Sequence, residues 1–185
     1  TFALRNCKYM NRITNYIRQS LQDIYPPEEV KALTMLICSD MLCLDALDIY
    51  LGKDMILSEC KERELENIIF RLQKNEPIQY IRGFAEFDGR RFKVAPGVLI
   101  PRPETVELVE LVARENASAR RLLDIGTGSG CIAISLDKKL PEAEVEAWDI
   151  SEDALAIARE NNKELAADVT FLQRDVLSDD WKKAP

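Results

Sequence analysis

The stretch that decides the fold reads LLDIGTGSGCIAI and runs from Leu122 to Ile134. It opens with the apolar pattern of a strand, continues through three glycines at alternate positions, and passes into a helical pattern near Cys131. Such a turn requires glycine because the chain bends tightly and a ligand approaches the backbone where a Cβ would collide. The helix N-terminus behind the turn adds free N–H groups and a positive dipole end. The stretch therefore predicts a site for a nucleotide-type ligand.

The residues after this stretch alternate between strand and helix patterns. Strands are predicted at 122–125, 145–150 and 169–172, with helices at 131–140 and 153–165. That alternation is typical of right-handed βαβ units and a parallel sheet. Three strands are about half of the number in a usual doubly wound sheet. We predict an incomplete Rossmann-like α/β domain over residues 104–185. We also expect a chain cut at both ends, because it starts at Thr1 without a methionine and stops at Pro185 soon after a strand.

Residues 1–76 show helical periodicity and few strand signals, which predicts a small bundle of helices. The first helix carries apolar residues three and four positions apart from Tyr9 to Leu21. Proline and acidic residues at 26–29 open the second helix. A third helix through Leu51 is predicted to stop at Gly52, and Ser58 is the predicted N-cap of a fourth.

A β-hairpin is predicted between the two halves of the chain. Asp88-Gly89 suits the positive φ angles of a type I′ turn, and strand-forming residues flank it on both sides. Prolines surround the apolar run 98–100 before helical periodicity resumes at 104–116. We predict that residues 77–103 form a hairpin linker between the helical bundle and the α/β domain.

Composition excludes several classes of function. The net charge of −7 and the pI near 4.9 leave no basic footprint, which argues against direct nucleic-acid binding. The sequence has no histidine, which excludes a His-based catalytic triad and an imidazole metal site, and no metal is expected. Five cysteines without a Cys-x-x-Cys pair indicate buried thiols in a reducing cytoplasm. No apolar run approaches the ~18 residues that span a bilayer, so no membrane association is expected.

The glycine spacing and the neighbouring carboxylates narrow the choice of ligand. The spacing is G-x-G-x-G, whereas a dinucleotide fingerprint would place its third glycine at Cys131. Asp124 precedes the first glycine by two residues, where a carboxylate attracts the ammonium group of an amino-acid cofactor and repels a pyrophosphate. Asp149 stands at the end of the second strand, where it can accept both hydroxyls of a ribose. These features favour S-adenosylmethionine over NAD.

Contacts to the adenine are predicted at the ends of the second and third strands. Asp175 and the N–H of Val176 could meet the adenine edge, and Ile150 could lie against the adenine face. Each feature alone has a structural explanation, because Asp149 or Ser151 can cap a helix, Asp175 can belong to a turn, and a glycine turn can open a helix without a ligand. The coincidence of three acidic strand ends with the glycine turn favours the ligand.

With these residues in place, the chain resembles the release-factor glutamine N5-methyltransferases, the HemK-type family. The resemblance spans Glu76 to about Leu177 and rests on four segments, which read EPIQYIRG from Glu76, EFDG from Glu86 with Phe92 and Val94, PGVLIPRPET from Pro96, and LDIGTGSGCIA from Leu123. The stretch PRPET is more specific than the glycine turn and separates this family from generic class I S-adenosylmethionine-dependent methyltransferases. The helical bundle is similar in kind to the family's N-terminal domain.

The resemblance implies transfer of a methyl group from S-adenosylmethionine to the side-chain amide nitrogen of a glutamine in peptide chain release factors. An amide nitrogen is a poor nucleophile, and family members orient it with carbonyl oxygens of an Asn-Pro-Pro-Tyr motif after the fourth strand. The chain ends at Pro185 before any such motif. No catalytic residue is therefore assigned, and we expect the 185 residues to bind the cofactor but to be inactive without the motif.

The resemblance also implies roles for individual residues. The implied cofactor contacts lie at the three strand ends and are Asp124, Ile125, Gly126, Thr127, Gly128, Gly130, Asp149, Ile150, Asp175 and Val176. Phe84 and Phe87 could wall the methyl-transfer pocket, although packing of the hairpin is the better account of at least one. Arg102 with Glu104 either positions the hairpin over the cofactor or forms an ion pair between domains. The helical bundle would contact the release factor.

Two other functions stay open. One is a methyltransferase that acts on an exocyclic amine of adenine or guanine in a nucleic acid, against which the acidic charge and the PRPET stretch both argue. The other is a non-catalytic fragment that binds cofactor or a partner.

Overall fold

A computed structural model describes residues 12–45, 47, 49 and 56–178. Cys7, one of the five cysteines, and Tyr9, Leu51 and Gly52, which entered the sequence-based predictions, lie outside these residues. Among the described cysteines, Cys43 and Cys60 are exposed, so the prediction of buried thiols is wrong for these two. The described residues up to Arg82 form one compact unit, and those from Gly83 onward form a second.

The first unit is helical, as predicted. Its helices are α1 (Arg12–Leu21), α2 (Pro27–Leu36), α3 (Glu59–Gln73) and α4 (Ile78–Arg82), and a π-helical turn (Ile37–Met41) continues α2. Ser58 is the N-cap of α3, and its hydroxyl accepts the Lys61 N–H at 3.4 Å, which confirms that prediction. Apolar residues from the inner faces of the helices form one core, which includes Ile17, Leu21, Val30, Leu33, Ile37, Leu65, Ile68 and Leu72.

An ion pair links the end of α3 to the segment that precedes α4. Arg71 donates from Nε and Nη2 to the two carboxylate oxygens of Glu76, at 2.7 and 2.5 Å. The same Nη2 reaches the Tyr80 carbonyl oxygen at 3.4 Å. Glu76 and Tyr80 belong to the EPIQYIRG segment, so part of that segment stabilises the end of the helical unit.

The second unit begins with an antiparallel hairpin of β1 (Phe84–Phe87) and β2 (Arg90–Lys93). The turn residues Asp88 and Gly89 have φ angles of 48° and 71°, which confirms the predicted turn with two positive φ angles. Phe87 and Phe92 meet edge to face, with ring centroids 5.9 Å apart. Both rings belong to the main core of this unit.

The remaining elements are α5 (Thr105–Glu115), β3 (Arg121–Ile125), α6 (Cys131–Lys139), β4 (Glu144–Asp149), α7 (Glu152–Glu164) and β5 (Val169–Gln173). The three strands form a parallel sheet in the order β3-β4-β5. Ile125 pairs with Trp148, and Asp149 pairs with Gln173. The α/β class with a parallel sheet is therefore confirmed, and the sheet brings the C-terminal ends of its strands to one edge.

Alternating side chains divide the sheet into two different faces. Val145, Ala147 and Val169 are buried in the core together with residues of α6. On the opposite face, Leu123 and Ile125 are 48% and 54% exposed. The helices α6 and α7 connect successive parallel strands, so the glycine turn and Ser151 both stand at the same edge.

Residues of the segment predicted as a linker belong to two different cores. Ile78 and Ile81 pack against the helical core, whereas Phe87 and Phe92 lie in the core of the second unit. The division into a bundle at 1–76, a linker at 77–103 and an α/β domain at 104–185 stays a prediction. No helix among the described residues is both long and apolar enough to cross a membrane. The same residues contain no group of three or more acidic or cysteine side chains placed to hold a metal ion.

Candidate functional site

The glycine turn joins β3 to α6, and its three glycines lie in the left-handed region. Gly126, Gly128 and Gly130 have φ angles of 77°, 56° and 79°, which residues with a Cβ rarely adopt. A Cβ on Gly130 would lie 3.1 Å from Ile134 Cδ1 and 3.2 Å from Ala158 Cβ. A Cβ on Gly126 would meet no atom within 4 Å. The third glycine is thus needed for packing, and the first leaves the backbone open to a ligand.

Hydrogen bonds fix the glycine turn to the end of β4. The N–H groups of Gly126 and Thr127 donate to the Trp148 carbonyl oxygen at 2.8 and 3.0 Å. The Gly128 N–H donates to Asp149 Oδ2 at 2.9 Å. The other carboxylate oxygen, Oδ1, accepts the Ser151 N–H at 3.0 Å. Asp149 therefore joins the glycine turn to the start of α7.

Ser151 caps α7, since its hydroxyl accepts the Ala154 N–H at 3.2 Å. This confirms the capping role that the sequence allowed for Ser151. Asp149 is left as a half-buried carboxylate beside the turn, and each of its oxygens accepts one backbone N–H. A carboxylate oxygen has room for a second donor, so Asp149 can still accept hydroxyl groups.

Asp124 is the second carboxylate of the site. Its Oδ2 accepts a hydrogen bond from Thr127 Oγ1 at 2.7 Å. Burial raises the pKa of Asp124, against the opposing effect of hydrogen bonds from Thr127 and the Ala133 backbone, and the negative charge of Asp149 raises it further. A carboxylate in this situation gains from a nearby positive charge, because the charge offsets both burial and repulsion.

The third strand end carries a turn. Asp175 Oδ1 accepts the Leu177 N–H at 2.9 Å, and the Asp175 carbonyl oxygen accepts the Ser178 N–H at 3.2 Å. This is the turn geometry that the sequence allowed for Asp175. Val176, next to it, is half-buried. The predicted contacts of both residues with an adenine stay predictions.

Ile150 follows β4 and is 63% exposed. Its carbonyl oxygen accepts a hydrogen bond from Gln173 Nε2 at 3.0 Å, which ties this backbone to the end of β5. An exposed apolar side chain at the edge that carries Asp124 and Asp149 offers a surface for a flat aromatic group.

The predicted substrate-side residues occupy different environments. Phe87 is 2% exposed and packs in the core, which is the packing role foreseen for at least one of the two phenylalanines. Phe84 is half-buried, and the Arg91 guanidinium lies 4.6 Å from its ring centre. Arg102 and Glu104 are exposed. The pocket roles of Phe84 and Arg102 stay predictions.

Val98 brings the proline-rich segment next to the glycine turn. The Val98 side chain is 2% exposed, and its Cγ1 lies 3.7 Å from the position that a Cβ on Gly128 would occupy. The PGVLIPRPET segment therefore borders the site through its buried valine.

Asn161 is a residue that the sequence-based reasoning missed. It lies in α7, is fully buried, and contacts both the hairpin and the glycine turn. A signal was present in the sequence, because Asn161 continues the apolar stripe of Ala154 and Ala158 at helical spacing. A polar residue on the buried face of a helix needs hydrogen-bond partners from elsewhere in the fold.

Comparison with known proteins gives two matches to family models. The family described as PrmC N-terminal domain matches residues 13–83, and the family described as Methyltransferase small domain matches residues 105–184. The two matches cover the helical part and the α/β part of the chain, respectively.

Curated relatives give a consistent result. The release factor glutamine methyltransferase of Bacteroides thetaiotaomicron is 80% identical over 171 residues, which are 92% of this chain and 62% of that protein. The protein of the same name from Flavobacterium psychrophilum is 40% identical over 164 residues, covering 86% of this chain and 58% of the relative. The chain thus spans about three fifths of the length of these relatives. Over 92% of its length, the chain is similar to a release factor glutamine methyltransferase.

Proposed function

We propose that the protein transfers a methyl group from S-adenosylmethionine to the side-chain amide nitrogen of a glutamine in a peptide chain release factor, in the cytoplasm. The observation that carries this proposal is the 80% identity over 92% of the chain to a release factor glutamine methyltransferase. The geometry of the strand ends supports the cofactor part of the proposal independently.

The donor set fits the chemical groups of S-adenosylmethionine. Asp124 is a carboxylate whose ionised form is disfavoured by burial, so the ammonium of the methionine part would stabilise it. The open backbone at Gly126 and the start of α6 suit the approach of the methionine carboxylate. Asp149 can accept the ribose hydroxyls while it keeps its bonds to Gly128 and Ser151.

When bound, S-adenosylmethionine supplies an electrophilic methyl group on a sulfonium centre. The contribution of this chain is to orient the cofactor. Both carboxylates are linked to the glycine turn, Asp124 by a hydrogen bond from the Thr127 hydroxyl and Asp149 by one from the Gly128 N–H. Two fixed carboxylates would hold the aminoacyl group and the ribose of the cofactor in one orientation before the substrate binds. The sequence contains no Asn-Pro-Pro-Tyr, so no step on the glutamine amide is assigned to its residues.

Calorimetry tests the cofactor part. We expect S-adenosylmethionine and S-adenosylhomocysteine to bind, and NAD to bind more weakly than either. Asp149→Ala should weaken binding by about tenfold or more, since a hydrogen bond to a charged group contributes roughly 1.5–3 kcal/mol. Asp153→Ala, which removes an exposed carboxylate from the first turn of α7, is the matched control and should leave the affinity unchanged. Tighter binding of NAD would refute the assignment.

Methylation assays test the substrate part. A version with the full length of the curated relatives is incubated with labelled S-adenosylmethionine and either a release factor or ribosomal and transfer RNA; the 185 residues alone, which contain no Asn-Pro-Pro-Tyr, should transfer no label. We expect label on a glutamine of the release factor, and replacement of that glutamine should abolish the signal. Label on RNA alone would overturn the proposed substrate and leave the cofactor proposal intact.

A further inference from the structure

We propose that Asn161 is a positioning residue for the cofactor site, holding the glycine turn against the hairpin through a single side chain. The inference rests on the proposed function, since it concerns the same site. Asn161 lies in the C-terminal half of α7 and is 0% exposed. It is 68 residues from Lys93 and 32 residues from Ser129, its two partners.

The side-chain amide of Asn161 makes three hydrogen bonds, all to backbone groups. Its Oδ1 accepts the Lys93 N–H at 2.7 Å, and its Nδ2 donates to the Lys93 carbonyl oxygen at 3.0 Å. A neighbouring antiparallel strand would satisfy the same two groups of Lys93 with the C=O and N–H of one residue. Asn161 therefore takes the place of a strand partner at the end of β2.

The third hydrogen bond reaches the glycine turn. Nδ2 of Asn161 also donates to the Ser129 carbonyl oxygen at 2.9 Å. Ser129 is 1% exposed and lies between Gly128, whose N–H binds Asp149, and Gly130, whose N–H donates to the Thr127 carbonyl oxygen at 2.9 Å. The orientation of the Ser129 peptide thus affects the N–H groups on both sides of it.

An asparagine is well suited to this position. One planar amide supplies the acceptor for Lys93 N–H and the two donors for the carbonyl oxygens, and no charge is buried. An ionised aspartate in its place would keep the acceptor and lose both donors. The substitution Asn161→Asp therefore removes hydrogen bonds while it keeps the shape of the side chain. Asn161→Leu keeps the volume approximately and removes all three hydrogen bonds.

The alternative is that Asn161 only stabilises the fold. Two residues of the same helix serve as controls for that role. Leu155 is fully buried and apolar, so Leu155→Ala destabilises α7 without removing a bond to the turn. Asn162 Oδ1 accepts the Val169 N–H at 3.2 Å, so Asn162→Leu removes a hydrogen bond to β5 instead.

The experiment measures the dissociation constant of S-adenosylhomocysteine by calorimetry and the urea midpoint of each variant of the full chain. We expect Asn161→Asp and Asn161→Leu to weaken binding about tenfold or more, as removal of hydrogen bonds to buried partners implies. Leu155→Ala and Asn162→Leu should lower the midpoint but keep the dissociation constant within about twofold, as expected of sites that do not share partners.

A measurement on the unaltered protein covers the case in which Asn161 variants fail to fold. S-adenosylhomocysteine should slow hydrogen exchange of the Asn161 side-chain amide more than that of Asn162. Unchanged affinity for S-adenosylhomocysteine in folded Asn161 variants, or equal slowing of exchange at the two asparagines, would overturn the inference while the cofactor assignment stands. Failure of the unaltered protein to bind S-adenosylhomocysteine would overturn the cofactor assignment and the inference together.

Discussion

Replacing Gly130 by alanine tests whether the third glycine of the turn is required for packing. The residue has a φ of 79°, and a conformation of this kind costs a residue with a Cβ about 1–2 kcal/mol. A Cβ would also lie 3.1 Å from Ile134 Cδ1 and 3.2 Å from Ala158 Cβ, and overpacking of a buried core costs about 1–3 kcal/mol. The sum predicts a loss of about 2–5 kcal/mol in the free energy of unfolding.

Two other glycines separate these contributions. Gly89 has a φ of 71° and Gly126 a φ of 77°, and a Cβ on either meets no atom within 4 Å. Gly89→Ala and Gly126→Ala therefore carry the backbone strain without the overpacking. The stability of Gly130→Ala should fall below that of Gly89→Ala by about 1–3 kcal/mol. Gly126→Ala should match Gly89→Ala in stability and bind S-adenosylhomocysteine more weakly, because its Cβ occupies the open side of the turn.

Urea unfolding followed by tryptophan fluorescence provides the assay. Trp148 lies in β4, and a Trp181→Phe background makes it the sole tryptophan, since the chain has two. Equal midpoints for Gly130→Ala and Gly89→Ala would refute the packing argument. A Gly126→Ala variant with unchanged affinity would show that the ligand does not approach the turn at its first glycine.

Three further predictions concern ionisable groups. Because burial raises the pKa of Asp124 in the folded state, its ionisation destabilises the fold as pH rises through that value. Asp124→Asn should therefore raise the urea midpoint at pH 7.5 but not near pH 3, and should weaken S-adenosylhomocysteine binding; a lower midpoint at both pH values would contradict this. Asp88 Oδ1 lies 3.0 Å from Lys139 Nζ, and the Asp88 side chain is 9% exposed. Asp88→Asn keeps the tolerance for a positive φ and removes the charge, so it should lower the free energy of unfolding by about 1 kcal/mol in the same urea assay. Burial raises the pKa of the Cys131 thiol to about 11, so iodoacetamide at pH 8 should alkylate the exposed Cys60 before Cys131. Equal alkylation rates of the two thiols, measured by peptide mass spectrometry, would contradict this prediction.

Local sequence patterns predicted much of the secondary structure. The two positive φ angles of Asp88-Gly89 and the caps at Ser58 and Ser151 depend on neighbouring residues, and the structure has them where the sequence placed them. The strand predicted at 145–150 lies at Glu144–Asp149, one residue earlier. Such features could be predicted because the physical requirement and the residue that meets it lie within a few positions of each other.

Contacts between distant segments could not be predicted in this way. The sequence could not show that Phe87 packs against Phe92 in the core while Phe84 is half-buried beside Arg91. Nor could it assign Asn161, whose partners Lys93 and Ser129 lie in the hairpin and in the glycine turn. Side chains of one residue type are distinguished only by what surrounds them after folding.

The sequence by itself determined the order of the βαβ elements, the glycine turn and the acidic residues that end the strands. The tertiary structure decided which glycine is needed for packing, which carboxylate receives which backbone N–H, and how the turn is fastened to the hairpin. The physical reason is that strand, helix and turn preferences act over a few bonds, whereas the 2.9 Å contacts from Gly128 to Asp149 and from Asn161 to Ser129 join residues 21 and 32 positions apart. Only a packed fold brings such groups within hydrogen-bonding distance.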